Sequence, residues 1–284
     1  MTERTQSKIK FVGLHAHSVA GSIFDGLGFP QDHMEFAYSN GSDALALTDH
    51  GNMNGLSYQV LHAKKMKKEG KDFKPIFGCE AYFIPSIDEW KDEYEQAMQD
   101  KKKAREAKKA GASAASVEDE GASKGKSNSI LRRRRHLVLL AQNQTGLNNL
   151  FKLVSESYKD ENFYRYPRMD YKMLKEHSEG IIASSACLGG VYAGNYWENR
   201  EEGPEAVLEA MRETTRNMLD VFGDRWHGEV QWNNVPEQHE LNKFVIQVCE
   251  EFGVKVISTA DSHYPNRDAW KDRELYKRLG WLGK

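Results

Sequence analysis

A chain of 284 residues with 40 Lys+Arg against 42 Asp+Glu carries a formal charge of −2. No cationic surface can therefore cover the whole molecule, and any nucleic-acid contact must come from a local basic patch or a bound metal. Three cysteines are too few for a disulfide framework, no apolar run approaches the ~18–20 residues that span a bilayer, and the polar opening MTERTQSKIKFVG has no signal-peptide core, so a soluble, cytoplasmic protein without membrane contact is expected.

Short apolar runs alternate with helical patterns along the chain. A strand is expected at 10–14, a helix at 31–39, a strand at 44–48, a helix at 54–69 and a strand at 75–79. After residue 136 come a strand at 137–141, helices at 146–158 and 171–177, a strand at 180–184, a helix at 204–222, a strand at 228–231, a helix at 237–252 and a strand at 255–258. Pro204 suits a first helical position, and Gly70, Gly223 and Gly253 suit the residue just past a helix end. Seven β-α alternations predict either a (β/α) barrel or an open doubly wound sheet within one domain, 1–284. No G-x-G-x-x-G or G-x-x-x-x-G-K-[ST] motif is present, so no glycine-rich nucleotide cradle is expected.

One stretch, 88–135, breaks the pattern with Lys, Glu, Ala, Gly and Ser and reads as an insertion within the domain. Its first half, 90–109, suits a charged, solvent-facing helix; the second has nothing to bury against the entropy of ordering and is expected to be disordered. The closing run Arg132–Arg135 either holds phosphates or is a solvated loop end.

Ligand-type residues gather where the strands end. The first strand finishes in His15 and His17, whose spacing of two points both imidazoles to one side. The next ends in Asp49 and His50, the third in Glu80, a later one in Cys187, and the last in Asp261 and His263, again two apart. In parallel α/β folds these ends converge on one rim. His136 begins its strand, away from the ends that converge, and so has no expected place on that rim. Cys79, Cys249, His33, His62, His177, His227 and His239 have no paired ligand and receive no role.

Each of these residues alone has an ordinary structural reading. Together they form a mixed His, Asp, Glu and Cys set too large for one tetrahedral ion, of the kind that holds divalent Zn, Mn or Fe. Several ions ~3.5–4 Å apart are the common apparatus for hydrolysing phosphate esters, so a multinuclear metal phosphoesterase is expected.

The succession LHAHS, FDG, TDHGN, GCEAY, HLVLLAQN, SACLGG and TADSHY resembles the PHP (polymerase and histidinol phosphatase) family. The segments LFKLVSESY and FYRYPRMDYKMLKEHSEG look like the branch at the N-terminus of bacterial DNA polymerase III alpha subunits, the C-family replicative polymerases. The resemblance implies a distorted seven-stranded (β/α) barrel with up to three divalent metals (Zn, Mn or Fe, with Mg possible). His15, His17, Glu80 and Asp261 would hold a first ion; Asp25, where some relatives have His, would join His50 and His263 on a second. His136 would share a third with Glu80 and Cys187, whose thiolate favours Zn. His15, Glu80 and Asp261 would be the catalytic core of a 3′–5′ proofreading exonuclease acting on single-stranded DNA ends beside the remaining polymerase domains or subunits. No second carboxylate-rich region suits a polymerase palm, so the chain alone is not expected to extend a primer; it reads as an excised domain or one piece of a split polymerase. The alternatives are a metal-stabilised scaffold of the polymerase and a free-standing phosphatase acting on a small monoester.

Overall fold

The computed structural model describes residues 11–109 and 133–282. In chain order it contains α1 (Pro30–Ser39), β1 (Ala44–Leu47), α2 (Leu56–Lys68), β2 (Lys74–Phe83), α3 (Ile87–Lys109) and β3 (Arg135–Ala141). These are followed by α4 (Gln144–Ser157), a hairpin of β4 (Phe163–Tyr164) and β5 (Tyr166–Met169), α5 (Tyr171–His177), β6 (Ile181–Ser184), α6 (Val191–Asn199) and α7 (Pro204–Phe222). The chain then forms β7 (Trp226–Gln231), α8 (Pro236–Phe252), β8 (Lys255–Thr259) and α9 (Trp270–Trp281).

Six strands run side by side in the order β1-β2-β3-β6-β7-β8. The ring closes through residues 13–17, which lie between β1 and β8. On one side Ala46 N–H donates to Gly13 O and Thr48 N–H to Ala16 O; on the other His17 N–H donates to Ser262 O and Ser262 N–H to His15 O. This is a seven-staved barrel, one of the two architectures that the alternation allows and the one that the family resemblance implies. The expected strand at 10–14 is corrected in kind and place. It is a bridged segment shifted toward 13–17, and Lys10 lies outside the described residues. The cause is an extra residue: the partner advances two positions from Ala46 to Thr48 while this segment advances three from Gly13 to Ala16, the signature of a bulge.

The strand-end rule for parallel sheets does not hold for every stave. β3 runs antiparallel to both β2 and β6, whereas β1-β2, β6-β7 and β7-β8 are parallel. The start of β3 therefore lies at the rim where its neighbours end, opposite Tyr82 in β2.

Strand alternation divides the apolar residues between two layers. Leu14, Ala46, Ile76, Val138, Leu140 and Ile182 pack together inside the barrel. Leu137, Leu139, Ala81, Ala183 and Val230 point outward beneath Leu150 and Leu153 of α4, Met211 and Met218 of α7, and Val245 and Val248 of α8. Full burial of each Leu, Met or Val side chain here contributes about 1.5–3 kcal/mol before entropy is counted, so this outer layer carries much of the fold's stability.

Helix starts follow their caps. α4 begins at Gln144 rather than 146 because the Asn143 side chain accepts the Gly146 N–H at 2.9 Å. Gly146 must be glycine for another reason: a Cβ there would stand 1.8 Å from Gly180 O. The expected charged helix of the insertion exists as α3, but it is anchored rather than wholly solvent-facing, with Ile87, Trp90 and Ala97 buried. The expected disorder of the insertion's second half falls on residues 110–132, outside those described. α6 and the hairpin β4-β5 went unanticipated, being too short for a clear period.

Candidate metal centre

The rim collects its polar side chains by local devices. The bulge in 13–17 turns His15 inward next to Leu14, and the two-residue spacing brings His17 with it, so both imidazoles are buried. Glu80 lies within β2 rather than at its end, since β2 continues to Phe83 by pairing with β3 and β5. On β3, His136 shares the inward alternation of Val138 and Leu140, and reversed strand direction puts it at the rim. The antiparallel stave thus supplies the placement that a rule about strand ends could not.

Four non-glycine residues among those described have positive φ: Phe24 (63°), Arg165 (60°), Ala186 (60°) and Asp261 (47°). Phe24 immediately precedes Asp25, Ala186 immediately precedes Cys187, and Asp261 is itself a candidate ligand. Left-handed backbone costs non-glycine residues about 1 kcal/mol or more and gathers at functional sites; here it aims three of the nine candidate side chains into the cup.

Glu80 is the hub. Its carboxylate lies 3.1 Å from His15 Nε2, 3.7 Å from His17 Nε2, 2.6 Å from His50 Nδ1 and 3.1 Å from His136 Nδ1. Cys187 Sγ is 3.8 Å from Glu80 Oε1 and 3.5 Å from His136 Nδ1. Asp261 Oδ1 lies 3.3 Å from His15 Nε2 and 3.1 Å from His17 Nε2. Asp25 Oδ2 is 3.0 Å from His50 Nε2 and 3.3 Å from His263 Nε2. All nine residues expected from the sequence therefore meet in one cup.

The donor set fits divalent cations. Neighbouring ligands on a tetrahedral ion with bonds of about 2.05 Å stand roughly 3.3 Å apart, the spacing found throughout the cup. Donor atoms within 4.8 Å of one another form three groups: His15–His17–Glu80, His50–Glu80–His136 and His17–His50–His263. Among the described residues, His15 Nε2, His17 Nε2, His50 Nδ1, Glu80 Oε2 and Asp261 Oδ1 are buried without a well-formed hydrogen bond. Buried polar atoms are ordinarily satisfied, and five orphans facing one space are what a cation would satisfy.

The electrostatics agree. Burial alone would raise the pKa of Glu80, but positive charge on His136, His15 and His50 holds it well below the usual carboxylate range. Burial likewise opposes protonation of His50, yet Glu80 and Asp25 push it up to about 10, and Asp261, Glu229 and Glu80 hold His15 well above its ordinary value. His17 is lowered to about 3 by burial and by His50, whose ring is 4.1 Å away. Burial, then Glu80 and Asp261, pushes the Cys187 thiol up. The carboxylates thus demand positive charge from whatever occupies the cup.

Two supporting groups, Glu229 and Arg273, escaped the sequence reading, and a third, Asp49, was grouped there with the ligand-type strand ends. Glu229 of β7 is buried and accepts from His15 Nδ1 at 2.7 Å, Ser184 Oγ at 2.6 Å, Gln231 Nε2 at 3.1 Å and the Thr259 hydroxyl. That contact leaves His15 Nε2 free to face the cup, the carboxylate–histidine arrangement that orients a metal ligand. The signal was available, because Glu229 is the one acid of the short strand Trp226–Gln231. Asp49 braces the loop beneath His17 through Ser18 N–H at 2.7 Å and Ser22 Oγ at 2.8 Å. Arg273 of α9 holds Asp25 through its main-chain oxygen at 3.0 Å and Oδ1 at 2.6 Å; nothing in the sequence pointed to it. Glu229→Gln is expected to weaken metal binding about 10–100-fold, as read by titration with a competing chelator, and to lower the thermal transition as well, since an amide cannot accept from all four donors.

The described part of the basic run makes contacts within the chain while staying partly exposed to solvent. Arg133 pairs with Glu93 at 2.9 Å, Arg134 lies 3.9 Å over the Tyr166 ring, and Arg135 pairs with Glu198; Arg132 is outside the described residues. Cys79 and Cys249 are buried in packed surroundings. Among the histidines given no role, His33 bonds Leu27 O at 3.0 Å and His62 meets Glu35 at 2.9 Å.

Comparison with known proteins now bears on the cup. A family model described as "PHP domain" matches residues 13–232. The DNA polymerase III subunit alpha of Aquifex aeolicus is 34% identical over 256 residues, 90% of this chain and 18% of that protein. The protein of the same name from Thermus aquaticus is 32% identical over 271 residues, 95% of this chain and 18% of its own length. The chain thus spans less than a fifth of these relatives. A solved amidohydrolase from Chromobacterium violaceum, with sulfate bound and no metal, aligns with a TM-score of 0.48 and 13% identity over 93% of this chain and 96% of that one. No helix among the described residues is long and apolar enough to cross a membrane. Seven staves, the nine-residue cup and the match over 13–232 lead to one assignment: the chain belongs to the PHP domain family.

Proposed function

We propose that this chain is the PHP region of a C-family replicative DNA polymerase, a single domain over 1–284 with 88–135 inserted, acting in cytoplasmic DNA replication. Its cup hydrolyses phosphodiester bonds at the 3′ end of single-stranded DNA. The observation that carries this reading is the convergence of His15, His17, His50, His136 and Cys187 on the buried carboxylate of Glu80.

His15, His17, Glu80 and Asp261 would hold a first ion, Asp25, His50 and His263 a second, and His136, Glu80 and Cys187 a third. When bound, divalent cations there acidify water and take up the charge that builds on phosphoryl oxygens. The residues do the positioning. Glu80 offers both carboxylate oxygens and fixes the separation of the groups around it, Glu229 sets the His15 tautomer, and Arg273 fixes the Asp25 carboxylate. Asp261 presents Oδ1 between His15 and His17. Cys187 biases the third position toward Zn over Mn or Mg.

The test is hydrolysis of a 5′-labelled single strand by the purified chain with added Mn or Zn. Shortening from the 3′ end that chelation abolishes and metal restores is the expected result. A chain that binds metal but cleaves nothing would be a scaffold, and preferential turnover of small monoesters would make it a phosphatase.

A further inference from the structure

We propose that the β4-β5 hairpin, with Arg134 and Tyr82 behind it, is a stacking track that leads single-stranded DNA into the cup. The inference rests on the phosphodiesterase reading and names the part of the surface that would select a polynucleotide over a small ester.

The track runs from the hairpin to the candidate ligands, with the Tyr164 ring at its outer end packed 5.9 Å from Tyr94 of α3. Tyr164 and Tyr166 are directly opposed across the hairpin, so their side chains share one face. Tyr164 is 38% exposed. The Tyr166 ring lies 5.1 Å from Tyr82, and Tyr82 lies 5.6 Å from His136 and 6.2 Å from His50. Arg134 places its guanidinium 3.9 Å over Tyr166 and 5.3 Å from Tyr82, and exposed Arg165 forms the tip, 5.9 Å from the Tyr164 ring. Aromatic rings interleaved with guanidinium groups, ending at a cluster built for phosphate chemistry, are what an unpaired strand requires: faces for its bases and positive charge for its backbone. A duplex keeps its bases stacked on each other and gains little from such a surface.

The hairpin is also fixed in a manner its own size does not explain. Two strands of two and four residues are too short to stand alone. Arg168 holds the turn from inside through Tyr164 O and Tyr166 O, and Arg165 sits at φ 60°. Backbone strain at an exposed tip is here spent on presenting Tyr164 and Arg165 outward.

The test measures binding of a fluorescent oligothymidylate to the full chain by anisotropy, with Ca²⁺ replacing catalytic metals so that cleavage plays no part. Tyr164→Ala and Tyr166→Ala are each expected to weaken binding about tenfold, as loss of one base-stacking contact does, while Tyr166→Phe restores it. Phe163→Ala, on the opposite face of the hairpin, serves as the control and should bind as wild type does. The kinetic counterpart is a rise in KM for the oligonucleotide at least tenfold larger than for a small phosphodiester reporter. Tyr164→Ala, at an exposed ring, decides the matter should Tyr166→Ala fold poorly. Oligothymidylate binding within twofold of wild type for Tyr164→Ala, equal weakening by Phe163→Ala, or tighter binding of duplex than single strand overturns the track. A wild-type chain that binds single strands through Tyr164 yet never cleaves them leaves the track standing and removes the hydrolase reading instead.

Discussion

Glu80→Gln is expected to lower hydrolysis by roughly 10³-fold or more and to strip most of the bound metal. The substitution keeps the size of the side chain and removes its charge. Four imidazoles and a thiol surround this carboxylate within 3.8 Å, so it is the shared ligand of two donor groups, and a neutral amide cannot neutralise two cations. His15→Ala and Asp261→Asn should also abolish hydrolysis, but each removes a ligand of the first ion alone. Metal content of the purified variants separates these cases: Glu80→Gln falls furthest. Folding should survive, because histidines that lose the carboxylate shed their protons instead of remaining charged and buried. A Glu80→Gln chain with undiminished metal and activity would refute the hub and the ligand scheme built on it.

The parts of the cup differ in how well the linear sequence exposed them. His15-x-His17 and Asp261-x-His263 were legible because alternation along extended backbone fixes which side chains share a face. The staves from β1 to β8 were legible as short apolar runs between helical periods, even though β2 proved longer and the first stave proved bulged. His136 was legible only through family resemblance. Periodicity says which residues face inward but not which way a strand runs, and the reversal of β3 is a property of the β2-β3-β6 pairing. Arg273 was illegible for a related reason. It meets Asp25 from 248 positions away, and one basic residue among several on a charged helix has no pattern to mark it. Glu229 lies between these extremes, since an acid inside an expected strand signals a buried partner without naming it. Asp49 shows the converse error of emphasis: a strand-end acid beside His50 suggests a ligand, yet its oxygens are fully engaged by Ser18 and Ser22.

Arg168→Ala is expected to produce the largest loss of stability, about 3 kcal/mol, read as an earlier thermal transition. The side chain is wholly buried. Its Nη1 donates to Tyr164 O at 2.9 Å and Tyr166 O at 3.2 Å, and its Nε donates to Arg133 O at 3.2 Å. Its guanidinium lies 4.3 Å from the Trp90 ring. One fork therefore ties the hairpin, the lead into β3 and helix α3 together. Truncation strands three carbonyl oxygens and opens a void at their centre. Arg168→Lys should recover only part of the loss, because an ammonium keeps the charge but cannot span the same set of acceptors in a plane. The damage should also reach the chemistry. Arg133 stands three residues before His136, and Tyr166 packs on Tyr82 beside it, so a loosened anchor frees the one candidate ligand that comes from the antiparallel stave. Metal held by His136 and Cys187 should then be lost more readily than metal held by His15 and His17, an order that chelator titration of the variant would reveal. An Arg168→Ala chain melting with the wild type would mean that hairpin, stave and helix are held by their apolar contacts alone.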